Sequence, residues 1–157
     1  MHDIEQLIAE HEKMDEMAEE LLTLVQSPDP WAGDAFALIR RLSACLDEHL
    51  AAENGILYAD HYRAMPGRLE SEVVAFERAF EDLSEEWGLY LREWTIDNII
   101  ADWRNFSHAT QWLMSRLRER IAQENEILYP LALHHGLIRL RPEGWQGPAF
   151  DAVGANI

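Results

Sequence analysis

Apolar residues recur along this chain at intervals of three and four, which is the repeat of an amphipathic helix with one buried face. No segment shows the polar-apolar alternation that is typical of a β-strand. The pattern predicts three helices at about 3–26, 32–63 and 96–134, and another that starts near residue 68. Four long helices joined by short connections indicate an all-α protein, an antiparallel up-down four-helix bundle.

The helix boundaries rest on proline, glycine and capping residues. Prolines separate the first three helices, but the third has no clear end, and Gly88 and Thr95 bracket its predicted turn. Thr95 is a candidate N-cap of the fourth helix, which is expected to end at the His134-His135-Gly136 sequence. We therefore expect a bundle over residues 1–136 and an irregular, aromatic-rich tail over 137–157 that packs on it.

Composition restricts the class of partner. Thirteen basic and 29 acidic residues give a formal net charge of −16, which argues against nucleic acid or an anionic membrane surface and favours cations. The single cysteine, Cys45, excludes an intrachain disulfide. No apolar run approaches the ~20 residues of a membrane span, and the acidic start is unlike a signal peptide. We expect a cytoplasmic monomer or homodimer with no nucleic-acid or membrane partner.

A ten-residue segment occurs twice, at 49–58 and 120–129, with six of ten positions identical. In the first copy His49 and Glu53 are four residues apart, so they share a helix face at metal-ligand spacing. The second copy keeps the glutamate as Glu124 but has Arg120 in place of the histidine. A guanidinium has no lone pair to offer, so Arg120 cannot ligate a metal.

His11, the His49-Glu53 pair and Glu124 with the following Ile-Leu-Tyr-Pro130 resemble the hemerythrin-like, or His-His-Glu cation-binding, family. The resemblance covers roughly residues 3–135. It implies a four-helix bundle that holds a carboxylate-bridged di-iron site and binds oxygen, nitric oxide or related molecules. It further implies that His11 and His49 ligate one iron and that Glu53 and Glu124 are the bridging carboxylates.

The second half of the family's ligand set is altered here. The positions that correspond to its ligands on the third and fourth helices are Glu77, Glu81 and Arg120. We expect Arg120 to bind Glu77 or Glu81 and to fill the place of the second metal. The candidate metal ligands are then His11, His49, Glu53, Glu124, Glu77 and Glu81. Two imidazoles and carboxylate oxygens with open positions suit iron, as one or two ions, and also manganese or zinc.

Three functions stay open at this point. The favoured one is a metal-binding protein that binds or senses iron, O2 or NO through one intact side of the site. The second is an iron enzyme that activates oxygen or peroxide, although no further catalytic dyad is visible. The third is a metal-free bundle in which Arg120 and carboxylates form a polar core and the protein acts as an interaction module. Tyr58 and Tyr129 are expected to be packing residues with a polar tip.

Overall fold

A computed structural model describes residues 4–57 and 68–134, and their side chains except those of 54–57, 68–74, 77 and 80. These residues contain no β-strand, which confirms the all-α prediction. The elements are α1 (Ile4–Val25), α2 (Ala32–Leu57), α3 (Arg68–Glu93), α4 (Ile96–Ala101), α5 (Trp103–Gln123), a π-helical turn (Glu124–Leu128) and α6 (Tyr129–His134).

The long helices pack with alternating direction. Helix α1 packs on α2 and α5, and α3 packs on α5. Glu10 near the start of α1 meets His49 near the end of α2, so these two helices are antiparallel. Ser107 near the start of α5 donates to the carbonyl of Val25 at the end of α1, so α1 and α5 are also antiparallel. The predicted up-down bundle is therefore confirmed.

One continuous apolar core lies between the helices. Its most deeply buried side chains include Met14, Leu21, Ile39, Leu42, Leu46, Phe106, Leu113 and Met114. Each such side chain contributes about 1.5–3 kcal/mol when it leaves water, which holds the helix faces in a fixed register. Within the described ranges, no helix combines the length and the apolar character that a membrane crossing requires.

The third and fourth predicted helices differ from the structure in their boundaries. Helix α3 continues through Gly88 to Glu93, and Thr95 caps α4 by accepting a hydrogen bond from the Asn98 amide at 3.3 Å. The predicted fourth helix is interrupted at Asp102, whose backbone is non-helical and whose carboxylate accepts from the Asn105 amide at 3.2 Å. Aspartate is a favoured N-cap, so a new helix starts there.

Some sequence predictions lie outside the described residues. Helix α2 begins at Ala32 as predicted, but its predicted extension over residues 58–63 is not within the described ranges. The predicted tail at 137–157 also lies outside them. The π-helical turn was not predicted, and it lies in the second copy of the repeated segment. It directly affects the geometry of the site.

Candidate metal centre

Four of the candidate ligands meet at one place inside the bundle. His11 comes from α1, His49 and Glu53 from α2, and Glu124 from the first position of the π-helical turn. Each offers one donor atom, and these atoms all lie within 4.8 Å of one another. None of the four residues is more than 2% exposed. Two imidazoles and two carboxylates are therefore shielded from water in a group that could hold a metal ion.

The donor atoms are spaced as ligands around one ion. The Nε2 atoms of His11 and His49 are 2.9 Å apart, and they lie 3.1 and 3.4 Å from Glu124 Oε1. His49 Nε2 is 3.0 Å from Glu53 Oε1. Metal–donor bonds of about 2.0–2.2 Å place neighbouring donors about 3.0–3.5 Å apart in octahedral or tetrahedral geometry. The residues present thus fit a first-row divalent or trivalent metal.

Hydrogen bonds on the outer side of both imidazoles orient them for ligation. His49 Nδ1 donates to Glu10 Oε2 at 2.6 Å, and His11 Nδ1 donates to Asn125 Oδ1 at 2.7 Å. A carboxylate and an amide oxygen accept hydrogen bonds, so both Nδ1 atoms carry a hydrogen. In the neutral rings the lone pairs then lie on the Nε2 atoms, which face the cluster.

Glu53 gives a second sign that the group is built for a cation. Its Oε1 is engaged, but Oε2 is buried and has no hydrogen-bond partner in the part of the chain that the structure describes. A buried oxygen without a partner is costly because it has lost its water. A metal ion at the centre of the cluster would give this carboxylate a partner of opposite charge.

The electrostatics of the metal-free cluster favour bound protons. Burial alone would lower the pKa of His49, but contacts with Glu124 and Glu53 outweigh it and raise that pKa to about 11. Burial raises the pKa of Glu53, and the charge of Glu124 adds to the effect. Burial alone would raise the pKa of Glu124, yet contacts with Glu53, His11 and His49 and the charge of Arg120 hold it well below its usual range. A metal must therefore displace protons from His49 and Glu53.

Tyr129 contributes a further polar atom to the cluster. Its ring stacks on His11 with centroids 5.1 Å apart, and its hydroxyl donates to Glu53 Oε1 at 2.8 Å. The same oxygen lies 3.0 Å from His11 Nε2 and 3.3 Å from His49 Nε2. Burial, followed by the charges of Glu124 and Glu53, raises the pKa of Tyr129, so its phenol is neutral without a metal. The sequence predicted the packing but not this placement.

The π-helical turn brings Tyr129 into the cluster. The Tyr129 amide donates to the carbonyl of Glu124, five residues earlier, instead of four as in an α-helix. In a regular α-helix, side chains five residues apart diverge by about 140° around the axis. The wider turn brings Glu124 and Tyr129 onto the same side, so both side chains reach the cluster.

Arg120 lies beside the cluster as a buried cation. Its Nε donates to Glu124 Oε2 at 3.0 Å, and its Nη1 donates to the carbonyl of Phe76 at 2.9 Å. The guanidinium carbon lies 5.3 Å from the centroid of the Phe76 ring, an orientation that adds a cation–π attraction. Arg120 thus binds the outer oxygen of Glu124, while Oε1 of the same carboxylate faces the imidazoles.

Of the two remaining candidates, Glu81 does not join the four central residues. The side chain of Glu81 on α3 is exposed to solvent, and that of Glu77 lies outside the described residues. Glu10, Asn125 and Tyr129 are site residues that the sequence analysis missed. For Asn125 and Tyr129 a signal was present, since both are among the six identical positions of the repeat. Glu10 adjoins His11 but resembles the many other acidic residues of α1.

Fold and site together define a helical-bundle protein with a buried His/Glu group between its helices. The family model of the hemerythrin HHE cation binding domain matches residues 2–132 of this chain, and the chain belongs to that family. Neither the curated proteins nor the solved structures gave a significant match.

Proposed function

We propose that this protein binds one iron ion at the cluster and uses it to bind or sense a small diatomic molecule such as O2 or NO. The observation that carries the proposal is the convergence of four buried donors at ligand spacing: His11, His49, Glu53 and Glu124. Their chemistry suits iron, because two imidazoles and carboxylate oxygens with open positions are the donor set of non-haem Fe(II) sites. Family membership supports the same assignment.

The charge balance favours a cation of this kind. With neutral imidazoles, the buried carboxylates of Glu53 and Glu124 carry two negative charges, and the charges of Arg120 and Glu10 next to the cluster offset each other. Such charges are unfavourable by several kcal/mol each when unpaired. A divalent ion balances them, whereas the metal-free cluster has to keep protons on His49 and Glu53. Metal binding and proton binding are thus alternatives at the same atoms.

The position of Arg120 favours a site with one metal ion over a site with two. It stands at the position where the family has a histidine ligand, and it binds Glu124 Oε2 at 3.0 Å. A carboxylate bridges two metals with its two oxygens, and here a guanidinium with a fixed positive charge takes the second one. A second cation next to Arg120 would also be repelled by it. The geometry therefore favours one metal on the side of His11 and His49.

A cavity of about 190 Å³ lies between α3 and α5, and Arg120, Leu83 and Gln123 are part of its wall. None of the four candidate ligands is among its lining residues, so a small molecule in this cavity would have to pass Arg120 to reach the cluster.

A pair of isosteric variants tests the proposal. Glu53→Gln removes a buried carboxylate from the cluster, whereas Glu81→Gln makes the same chemical change at an exposed position of α3. Anaerobic Fe(II) titrations followed by calorimetry are expected to show at least a tenfold weaker affinity for Glu53→Gln and wild-type affinity for Glu81→Gln. Equal affinities of both variants would contradict the assignment. A wild-type protein that binds no Fe(II) would support the metal-free interaction module instead.

A further inference from the structure

The hydroxyl oxygen of Tyr129 has the same spacing as the donor atoms of the cluster. It lies 2.8 Å from Glu53 Oε1, 3.0 Å from His11 Nε2 and 3.3 Å from His49 Nε2. The four donors of the proposed site are separated by 2.9–3.4 Å where they are neighbours. The phenolic oxygen therefore occupies a fifth corner around the same centre, at the distance that ligands of one metal keep from each other.

We propose that Tyr129 is a fifth ligand, which binds Fe(III) through its phenolate oxygen. This inference rests on the proposed function, because it requires that the cluster holds iron. On ligation the oxygen–metal bond replaces the oxygen–hydrogen bond of the phenol, and the proton is released to the buffer. No change in the oxidation state is involved when the iron is supplied as Fe(III).

Hydrogen bonds account for only part of the contacts of the hydroxyl. A phenol has one hydrogen, and the contact with Glu53 Oε1 uses it. The phenol oxygen can also accept a hydrogen bond from His49 Nε2 when that ring is protonated. In the neutral rings that metal ligation requires, both imidazole nitrogens, at 3.0 and 3.3 Å, present lone pairs to the oxygen. A cation at the common centre turns all three contacts into contacts between ligands.

The side chain of Tyr129 is also fixed in one orientation, as a metal ligand requires. The residue is 0% exposed, and its ring stacks on the imidazole of His11. The π-helical turn fixes its direction through the hydrogen bond from its amide to the Glu124 carbonyl. Because π-turns are rare and are concentrated at functional sites, the turn that directs Tyr129 inward fits a ligand role.

Charge explains why the phenolate would favour the trivalent ion. Glu53, Glu124 and a Tyr129 phenolate carry three negative charges, which balance Fe(III) in a buried site. Arg120 contacts Glu124 and Glu10 contacts His49, and their opposite charges cancel in the total charge around the site. Five protein ligands leave one position of an octahedron open for a small molecule.

The test is the visible absorption of the Fe(III)-loaded protein. A phenolate bound to Fe(III) gives a charge-transfer band in the visible region, which imidazole and carboxylate ligands do not produce. Wild type, Tyr129→Phe, Tyr90→Phe and Tyr58→Phe are loaded with one equivalent of Fe(III) citrate and desalted, and the iron content and spectrum are recorded. Tyr90 is a buried tyrosine that binds Thr110, and Tyr58 is the counterpart of Tyr129 in the repeat.

The expected result is a band in wild type, Tyr90→Phe and Tyr58→Phe, and its complete loss in Tyr129→Phe with iron still bound. Resonance Raman spectra of the wild type, excited in the band, are expected to show phenolate ring modes, so the test does not depend on any variant folding. Iron-loaded wild type without the band or these modes would overturn the tyrosine ligand, as would a Tyr129→Phe protein that keeps the band. Those results leave the proposed function intact, whereas a wild type that binds no iron overturns the proposed function itself.

Discussion

At the scale of single residues, the imidazoles depend on partners that do not face the cluster. Glu10 Oε2 accepts from His49 Nδ1, and Asn125 Oδ1 accepts from His11 Nδ1. Each of these bonds fixes a ring orientation and leaves Nε2 toward the centre. The Glu10 carboxylate also makes the imidazole of His49 a stronger base. We therefore expect Glu10 and Asn125 to affect the metal affinity although neither contacts the ion.

Removing the partner of His49 should therefore weaken metal binding. Such outer partners typically contribute about 10–100-fold to metal affinity, and we expect Glu10→Ala to lose an amount in this range in Fe(II) titrations. Glu16→Ala, an exposed change on the same helix, serves as the control and should keep wild-type affinity. Glu10→Gln retains an acceptor oxygen and should fall between the two. An unaffected Glu10→Ala protein would mean that His49 does not need this hydrogen bond.

At the scale of elements, the π-helical turn at Glu124–Leu128 decides which side chains of the second repeat reach the cluster. It contains one residue more than an α-helical turn would hold between the same two ends. The side chain of Ile127 within the turn is 51% exposed, so its removal would cost few packing contacts. The turn can therefore be changed by deletion without removing any residue that contacts the cluster.

Deleting Ile127 should be tolerated for this reason. The shortened turn would place the tyrosine four residues after Glu124, which is one face of a regular α-helix. Deleting the exposed Gln111 in α5 is the matched control, because it rotates everything after it by about 100° and takes Glu124 away from the cluster. We expect cooperative thermal unfolding and iron binding to persist in the first variant and to be lost in the second. Equal damage by both deletions would argue against the role assigned to the turn.

The same turn explains what the sequence could and could not predict. The helix faces follow from the 3.6-residue repeat, and His49, Glu53 and Glu124 follow from the repeated segment, whereas His11 was identified through the resemblance to the family. The placement of Tyr129 does not follow from these patterns, because a regular helix would direct the ring elsewhere. Glu10 becomes distinct from the other glutamates of α1 only when the packing of α1 on α2 is known. The interruption at Asp102 was missed because the apolar repeat continues across it.

At the scale of the whole molecule, the cluster joins elements that are far apart in the chain. His11, His49 and Glu124 come from α1, α2 and the turn after α5, so one ion would link three parts of the bundle. An ion that binds the folded chain and not the unfolded one stabilises the fold, and the stabilisation grows with the logarithm of its concentration. Without the ion the same groups hold protons, and stability then depends on pH.

The free energy of unfolding of the metal-free protein should fall as the pH rises from about 7 to 9. His49 has a folded-state pKa of about 11 against 6.5 for the free side chain, so its stabilising contribution is complete below 6.5 and is lost as the pH rises toward 11. The raised pKa of Glu53 acts in the same direction. Urea unfolding measures this slope, which should become smaller in His49→Gln but not in the exposed control His108→Gln. A pH-independent stability would show that the cluster does not hold these protons.

The central claim is that the bundle binds one metal ion, with Arg120 in place of the second. Elemental analysis of the protein, purified without chelators or a metal-binding tag and loaded anaerobically with Fe(II), tests this most directly. The account predicts about one iron per chain, since a single ion fits the four convergent donors and Arg120 binds the outer oxygen of Glu124. About two irons per chain would contradict the role of Arg120, and no iron would contradict the metal site altogether.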